Sequence, residues 1–158
     1  MAARPADEER KRVEAVVYAF FEAGKNKDFP ALAGLHAPGV FSKFDENPPF
    51  TRQGSQDAFV HEQAAFANIS DYSYTLEDLR TDVLGDVAVV TFHLSYSGIF
   101  VNDYTFEGSP VGSRDRVTMV LVKAGGGWKI AHEHFSRFPD WSRGGSPERE
   151  ERSGPGRI

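Results

Sequence analysis

The sequence predicts an α+β domain in which three N-terminal helices pack on an antiparallel sheet. Between residues 7 and 68, apolar residues recur every three or four positions, which is the spacing of amphipathic helices. After Ile69 the pattern changes to alternating apolar and polar residues, which is typical of half-buried strands. Because the helices precede a run of consecutive strands, we expect them to cover one face of a single sheet.

The first two helices are predicted from their apolar stripes and their ends. Residues 7–26 carry Val17 and Phe20 on one helical face, and the chain then reaches Asp28, a favourable N-cap residue. A second, short helix is expected to follow Asp28 and to end before Pro38.

The third helix is predicted for residues 56–68. Phe59 and Phe66 form its apolar stripe, and Glu62 lies beside that stripe. The segment before this helix contains two consecutive prolines, so we expect a loop there.

The strands are predicted from period-two patterning and turn signals. The expected strands cover residues 40–44, a run after Ile69, and residues 87–100, 116–123 and 128–136. Residues 107–113 are expected to form a polar loop, and the glycine-rich residues 124–127 a hairpin turn.

The last strand is the most informative, because its strict alternation puts ionisable groups on both faces. Its faces are predicted as Trp128, Ile130, His132, His134 and Ser136 on one side, and Lys129, Ala131, Glu133 and Phe135 on the other.

The length, charge and amino-acid composition of the chain exclude several classes of function. The chain has 158 residues, which suits a single domain, and its net charge of -5 argues against a nucleic-acid partner. The absence of cysteine excludes disulfides and thiolate catalysis. No stretch approaches the roughly 20 apolar residues of a membrane span, and the charged start does not resemble a signal peptide. We therefore expect a cytoplasmic protein with no membrane partner.

The domain is expected to cover residues 7–139. Residues 1–6 are predicted to be flexible. Residues 140–158 are predicted to form a disordered polar tail, because they are rich in Gly, Pro, Ser, Arg and Glu.

Several motifs occur in an order that resembles the nuclear-transport-factor-2-like superfamily, particularly its SnoaL-like members. They are FEAGKNKD at residues 21–28, GDVAVV at 85–90, RVTMVLVK at 116–123 and GGWKI at 126–130. The resemblance implies a cone-shaped roll, in which a strongly curved antiparallel sheet caps the helices around a pocket. It also implies a homodimer that pairs through the outer face of the sheet.

Ketosteroid isomerases of this superfamily use a carboxylate base, a Tyr and a protonated Asp. The resemblance places these groups at Phe44 or Asp45, at Phe20, and at Thr118 or Met119. At least two of the three groups are missing, so we reject that isomerase mechanism for this chain.

The resemblance also predicts the residues that line the pocket. They are Val17, Phe20, Phe41, Phe44, Phe59, Phe92, Leu94, Met119, Leu121 and Phe135. A pocket of this composition suits a hydrophobic small molecule, of polyketide or terpenoid type, held by a few polar groups.

Glu133 is the predicted acid/base group, because burial in an apolar pocket raises the pKa of a carboxyl group toward neutrality. Asp45, Tyr96 and Tyr72 are its predicted helpers.

The same residues also have structural interpretations. Glu133 would form an ion pair with Arg114 or Arg116, Asp45 would serve a turn, and the tyrosines would pack in the core.

A metal site is the less favoured alternative. His132 and His134 lie on one face, roughly 7 Å apart by strand geometry, and His93 would be a third ligand. An isolated histidine pair is a weak signal, so we expect interface histidines and neither a metal nor another cofactor.

Two functions remain open. The first is a cofactor-independent isomerase, cyclase, dehydratase or hydrolase. The second is a non-catalytic ligand-binding or association module, whose cone is filled by its own Phe side chains. A cavity of roughly a few hundred Å³ favours the first function.

Overall fold

The computed structural model describes residues 4–139, so the predicted polar tail lies outside the described residues. Three helices are present: α1 (Pro5–Lys25), α2 (Phe29–Gly34) and α3 (Ser55–Ala67). Six strands accompany them: β1 (Ser42–Phe44), β2 (Gln53–Gly54), β3 (Ile69–Leu84), β4 (Val87–Val101), β5 (Gly108–Ala124) and β6 (Gly127–Arg137). Helix α1 begins two residues before its expected start. No helix in this part of the chain is long and apolar enough to cross a membrane.

The strands form one open sheet in the order β2-β1-β6-β5-β4-β3. The predicted α+β class, with three helices on a sheet, is confirmed. One pairing differs from the prediction: β1 runs parallel to β6, so the sheet is mixed. The expected loop at residues 107–113 is also wrong, because Gly108 already pairs with Val101 and starts β5.

Two bulges interrupt β3, which pairs with β4. Its register shifts between Ser70 and Ser73 and again between Glu77 and Arg80. Asp71 and Asp78, inside these shifts, have positive φ angles of 53° and 51°. Bulges of this kind bend a strand and increase its twist, so they help curve the sheet.

The helices are held by caps and by close packing. The Asp28 side chain accepts a hydrogen bond from the Ala31 amide at 3.1 Å and so begins α2. Lys27 donates to the carbonyl oxygens of Phe66 (2.5 Å) and Ile69 (2.7 Å) around the end of α3. Gly24 lets the Phe66 ring lie against α1, because a Cβ at Gly24 would be 2.4 Å from that ring.

Candidate functional site

A bulge in β6 decides which side chains of the last strand enter the core. Val120 pairs with His132, but Leu121 pairs with Ile130, so Ala131 is an extra residue. The predicted strict alternation is therefore wrong. Trp128 and Ile130 share the buried face with Glu133 and Phe135, and Ala131 does not. The side chain of Glu133 is fully buried.

Lys43 is the cation beside Glu133. It lies in β1 directly opposite Glu133 in the parallel pairing with β6. Its Nζ is 3.7 Å from Glu133 Oε2, 3.5 Å from Glu62 Oε2 and 3.7 Å from Asp45 Oδ2. The predicted arginine partners lie elsewhere: Arg114 pairs with the exposed Glu77 at 3.5 Å.

His36 approaches the same carboxyl groups from the chain after α2. Its backbone forms a parallel bridge to Ile130, which fixes the imidazole against β6. His36 Nε2 lies 3.2 Å from Glu133 Oε1 and 3.5 Å from Glu62 Oε1. The ring packs edge-on against Phe41, with the centroids 4.3 Å apart.

Helix α3 supplies Glu62. The helix buries Ala58, Glu62 and Phe66, which recur every four residues, rather than the predicted stripe through Phe59. Both oxygens of Glu62 are buried and accept no hydrogen bond within residues 4–139. The same is true of Oε2 of Glu133. The two cations therefore supply most of the compensation for these buried charges.

The four side chains set one another's protonation. Burial opposes the charged forms of Lys43 and His36, but the carboxylates outweigh burial, so the pKa of His36 rises to about 10 and that of Lys43 also rises. Burial would raise the pKa of Glu62, but Lys43 and His36 hold it below its usual value. Burial and the charge of Glu62 raise the pKa of Glu133 to about 7. Of the two carboxyl groups, Glu133 is therefore the one that takes up a proton as the pH falls toward neutrality.

A partly open cavity of about 110 Å³ adjoins this cluster. Its apolar wall includes Phe20, Phe21, Phe66, Leu94 and Phe135. Its polar wall consists of Lys43, Asp45, Glu46, Asn47, Glu62, Tyr72, Tyr96 and Asp115. A wider groove of about 650 Å³ adjoins the cavity, because Asp45, Asn47 and Tyr96 line both spaces.

The cavity has a second polar group at Asp115, which is fully buried. Asp115 Oδ1 accepts a hydrogen bond from Ser113 Oγ at 2.7 Å. Burial and the neighbouring Glu46 raise the pKa of Asp115 to about 8. Tyr96 donates to Glu46 Oε1 at 3.1 Å, and Arg137 Nε donates to Glu46 Oε2 at 3.3 Å.

The predicted catalytic residues lie in two layers. Asp45, Tyr72 and Tyr96 line the cavity. Glu133 does not line it and lies behind Lys43 and Glu62, which do.

The predicted pocket residues lie in four different places. Phe20, Leu94 and Phe135 line the cavity, whereas Val17, Phe92, Met119 and Leu121 are buried core residues outside its wall. Phe41 and Phe59 line a separate crevice of about 240 Å³ beside His36. Phe44 does not face the cavity either, because its ring packs against His132 and His134 on the other face of the sheet.

The predicted histidine set is split across the sheet. His132 and His134 lie on β6, and His93 lies on β4 with β5 between them. His132 Nδ1 is 2.9 Å from Ser42 Oγ. The His93 ring packs edge-on against Phe138, with centroids 5.0 Å apart.

A different donor set has the spacing of a metal site. The donor atoms of His36, Glu62 and Glu133 all lie within 4.8 Å of one another. Imidazole and carboxylates suit a divalent cation. The Lys43 ammonium, however, already lies 3.5 Å and 3.7 Å from these carboxylates and provides positive charge there.

Sequence reasoning missed Lys43, His36 and Asp115 as site residues and gave Glu62 no role. The available signal for Lys43 was its position between Phe41 and Phe44, in an apolar strand where a lysine needs a buried acid partner. The signal for Glu62 was its four-residue spacing from Ala58 and Phe66.

Three solved structures are similar to this fold over most of the chain. A candidate dehydratase of the NTF2-like family from Streptomyces avermitilis is 24% identical, with a TM-score of 0.72 over 85% of this chain and 99% of that one. The CaMKII hub of S. rosetta is 26% identical, with a TM-score of 0.66 over 87% and 100%. A ketosteroid isomerase-like protein from Erwinia carotovora atroseptica is 20% identical, with a TM-score of 0.65 over 84% and 98%.

No curated protein sequence matches the chain significantly. The profile of the SnoaL-like domain family matches residues 13–140. The family predicted from the sequence motifs is therefore confirmed, and the chain belongs to the SnoaL-like domain family.

Proposed function

We propose that this domain is a cofactor-independent acid/base enzyme that transfers a proton next to a carbonyl group of a hydrophobic small molecule. The observation that carries the proposal is the placement of Lys43 and Glu62, two buried and oppositely charged side chains, on the wall of a largely aromatic cavity. Desolvated charges at such a wall act on a bound molecule more strongly than they do in water.

In the proposed reaction, Lys43 donates a hydrogen bond to the carbonyl oxygen of the substrate. The carboxylate of Glu62 removes a proton from the neighbouring carbon, and the electron pair of that C–H bond forms the enolate. The Lys43 ammonium stabilises the negative charge on the enolate oxygen. Return of the proton to another carbon completes an isomerisation, and its delivery to a leaving hydroxyl completes a dehydration.

Glu133 and His36 contact Lys43 and Glu62 on the side away from the cavity. Glu133 contacts Lys43 at 3.7 Å and His36 at 3.2 Å, and its raised pKa lets it hold a proton while Glu62 stays ionised. Glu133→Gln therefore slows turnover but leaves ligand binding largely intact. Asp45 completes the surroundings of Lys43 at 3.7 Å.

The size of the spaces limits the substrate. A cavity of about 150 Å³ holds a benzene ring, so the smaller cavity of about 110 Å³ accommodates a short chain or part of a ring. The rest of a larger hydrophobic substrate would lie in the adjoining groove of about 650 Å³.

The test is the exchange of the α-hydrogens of cyclohexanone for deuterium in D₂O, followed by proton NMR. We expect the protein to accelerate the exchange, and Glu62→Gln to lower that acceleration by at least about 100-fold, as for loss of a general base. Asp57→Asn, an exposed position on the same helix, is the matched control and should retain the wild-type rate. Exchange at the buffer rate, or unchanged exchange in Glu62→Gln, would refute the proposal.

A second function, self-association, is favoured by the CaMKII hub of S. rosetta, which is 26% identical to this chain. The inner cavity is also smaller than the roughly 300–1,000 Å³ usual for ligand pockets. We propose a homodimer through the outer face of the sheet, where Phe44 packs between His132 and His134.

Light scattering coupled to gel filtration tests the homodimer. We expect a dimer mass for the wild type and a monomer mass for Phe44→Glu, because the introduced charge would be buried in the interface. A monomeric wild-type protein would contradict the homodimer and leave the acid/base proposal intact.

A further inference from the structure

We propose that His36, Glu62 and Glu133 form a binding site for a zinc ion, and that zinc bound there inhibits the proposed reaction because it occupies the carboxylate of Glu62. The zinc site follows from the contacts of these three side chains. The inhibition, by contrast, rests on the proposed function, in which Glu62 is the base.

The two glutamates present different oxygens to their two cationic neighbours. His36 Nε2 lies 3.2 Å from Glu133 Oε1 and 3.5 Å from Glu62 Oε1. Lys43 Nζ contacts the other oxygens, at 3.5 Å from Glu62 Oε2 and 3.7 Å from Glu133 Oε2. A cation placed between His36 Nε2 and the two Oε1 atoms therefore leaves the contacts of Lys43 in place.

The distances around His36 suit a tetrahedral zinc ion. Zinc binds nitrogen and oxygen at about 2.0–2.2 Å, which puts the ligand atoms of a tetrahedron about 3.3–3.6 Å apart. The two contacts of His36 Nε2, at 3.2 Å and 3.5 Å, are close to these values. Octahedral Mg²⁺ would draw its ligands together to about 2.8–3.0 Å, and Ca²⁺ binds oxygen ligands, so the imidazole also favours zinc.

The carboxyl oxygens have lone pairs free for a metal. Both oxygens of Glu62 and Oε2 of Glu133 are buried and have no hydrogen-bond partner within residues 4–139. The side chains are 2% and 0% exposed. Charged groups so deeply buried are normally hydrogen-bonded or bound to a metal. The contacts of His36 Nε2 are also longer than the roughly 2.7–2.9 Å of a charge-assisted hydrogen bond. Glu62 Oε1 is therefore an unsatisfied oxygen directed at the proposed site.

Zinc would also balance the charge of the cluster. Three carboxylates, those of Glu62, Glu133 and Asp45, surround the Lys43 ammonium within 3.7 Å. A histidine that binds a metal is neutral, so zinc displaces the proton on His36 Nε2. The two charges of zinc and the one charge of Lys43 then equal the three negative charges. A neutral buried cluster avoids the cost of burying a net charge.

A crevice beside His36 offers zinc a path to the site. His36 and Phe41 line this crevice of about 240 Å³, and the His36 side chain is 9% exposed. Glu62 lines the cavity on the other side of the cluster. A carboxylate bound to zinc cannot remove a proton from a substrate in that cavity. Zinc is therefore expected to act as an inhibitor.

Isothermal titration calorimetry of the chelator-treated full chain with zinc chloride tests the site. We expect the wild type to bind one zinc ion per chain with a dissociation constant of about 1 μM or lower. His36→Gln and Glu133→Gln should each weaken binding by at least about 100-fold, because loss of a ligand costs more than the roughly 10–100-fold loss caused by an outer partner. His134→Gln, at an exposed histidine of β6, is the matched control and should bind as the wild type does.

Cobalt(II) gives a second measurement that needs no substitution. Bound to the wild type in place of zinc, cobalt(II) should show the intense visible absorption bands of a tetrahedral site, and zinc should remove these bands. The weak bands of octahedral cobalt(II) would overturn the proposed coordination. Circular dichroism shows whether the two ligand variants remain folded.

The outcomes distinguish the zinc site from the proposed function. Absence of zinc binding in the wild type, or equal binding in the wild type, His36→Gln and Glu133→Gln, overturns the site and leaves the acid/base proposal intact. Deuterium exchange of cyclohexanone, measured with chelator and then with zinc, tests the inhibition: zinc should abolish the exchange catalysed by the wild type. Exchange that continues with zinc bound overturns the inhibition. Exchange at the buffer rate with chelator present overturns the acid/base proposal but not the zinc site.

Discussion

Replacing Lys43 by Met removes the cation shared by two buried glutamates and keeps a side chain of similar length. Lys43 Nζ is 3.5 Å from Glu62 and 3.7 Å from Glu133, and these carboxyl groups are 2% and 0% exposed. The substitution leaves their negative charge without its main partner. We expect it to lower the free energy of unfolding strongly.

The magnitude follows from the geometry. Two unit charges 3.5 Å apart attract by about 5 kcal/mol at an effective dielectric constant of about 20. Desolvation of the ammonium offsets part of this attraction, and removal of one partner from a buried pair costs about 3–5 kcal/mol. We expect a loss in that range for Lys43→Met at about pH 8.

The loss should diminish as the pH falls. In the wild type, Lys43 helps to hold the pKa of Glu62 below its usual value, so Glu62 contributes stability above its unfolded-state pKa. Without Lys43 the pKa of Glu62 rises, and the ionised form destabilises the folded state above that pKa. Protonation of Glu62 at about pH 5.5 should therefore restore part of the stability.

Urea denaturation followed by circular dichroism at the two pH values is the measurement. Lys11→Met, at an exposed position on α1, is the control and should change stability by less than about 0.5 kcal/mol. The double variant Lys43→Met/Glu62→Gln should be more stable than Lys43→Met by roughly 1 kcal/mol or more. The reasoning is refuted if Lys43→Met loses less than about 1 kcal/mol, or if the second substitution lowers stability further.

Three further predictions concern stability. Gly24→Ala should cost about 1–3 kcal/mol in urea denaturation, because its Cβ would be 2.4 Å from the Phe66 ring, and an unchanged midpoint would contradict this packing. Lys27→Met should cost about 1.5–3 kcal/mol through loss of the charged hydrogen bonds to Phe66 and Ile69, and hydrogen exchange at the end of α3 should accelerate. Asp115 has a raised pKa of about 8, so its contribution to stability is full below its unfolded-state pKa and is lost as the pH rises. Asp115→Asn cannot ionise at this position, so its stability relative to the wild type should increase by roughly 1.4 kcal/mol per pH unit between the unfolded-state pKa of Asp115 and about pH 8. Parallel curves of thermal stability against pH for the two proteins would contradict this prediction.

The elements of the fold were predictable because their signals are local. The spacing of Val17 and Phe20 predicts α1, and Asp28 predicts the start of α2. The parallel pairing of β1 with β6 was not predictable in this way. It joins residues about ninety positions apart, such as Lys43 and Glu133, and no short-range pattern encodes such a contact.

The candidate site was predictable only in part. The expected burial of Glu133 agrees with the structure, but the strict alternation used to infer it fails at Ala131. Nothing in the residues around Ala131 marks the extra position, because a bulge depends on how two strands meet. The stripe through Phe59 failed because α3 turns Glu62 inward, where it lies 3.5 Å from both Lys43 Nζ and His36 Nε2.

The parallel pairing of β1 with β6 also sets the order in which the protein can be completed during synthesis. His36, Lys43 and Glu62 leave the ribosome long before Glu133, and β1 cannot join the sheet until β6 exists. The nascent chain must therefore hold a charged, half-formed core in solvent until its last strand arrives. Pairing between strands so far apart in the sequence slows folding.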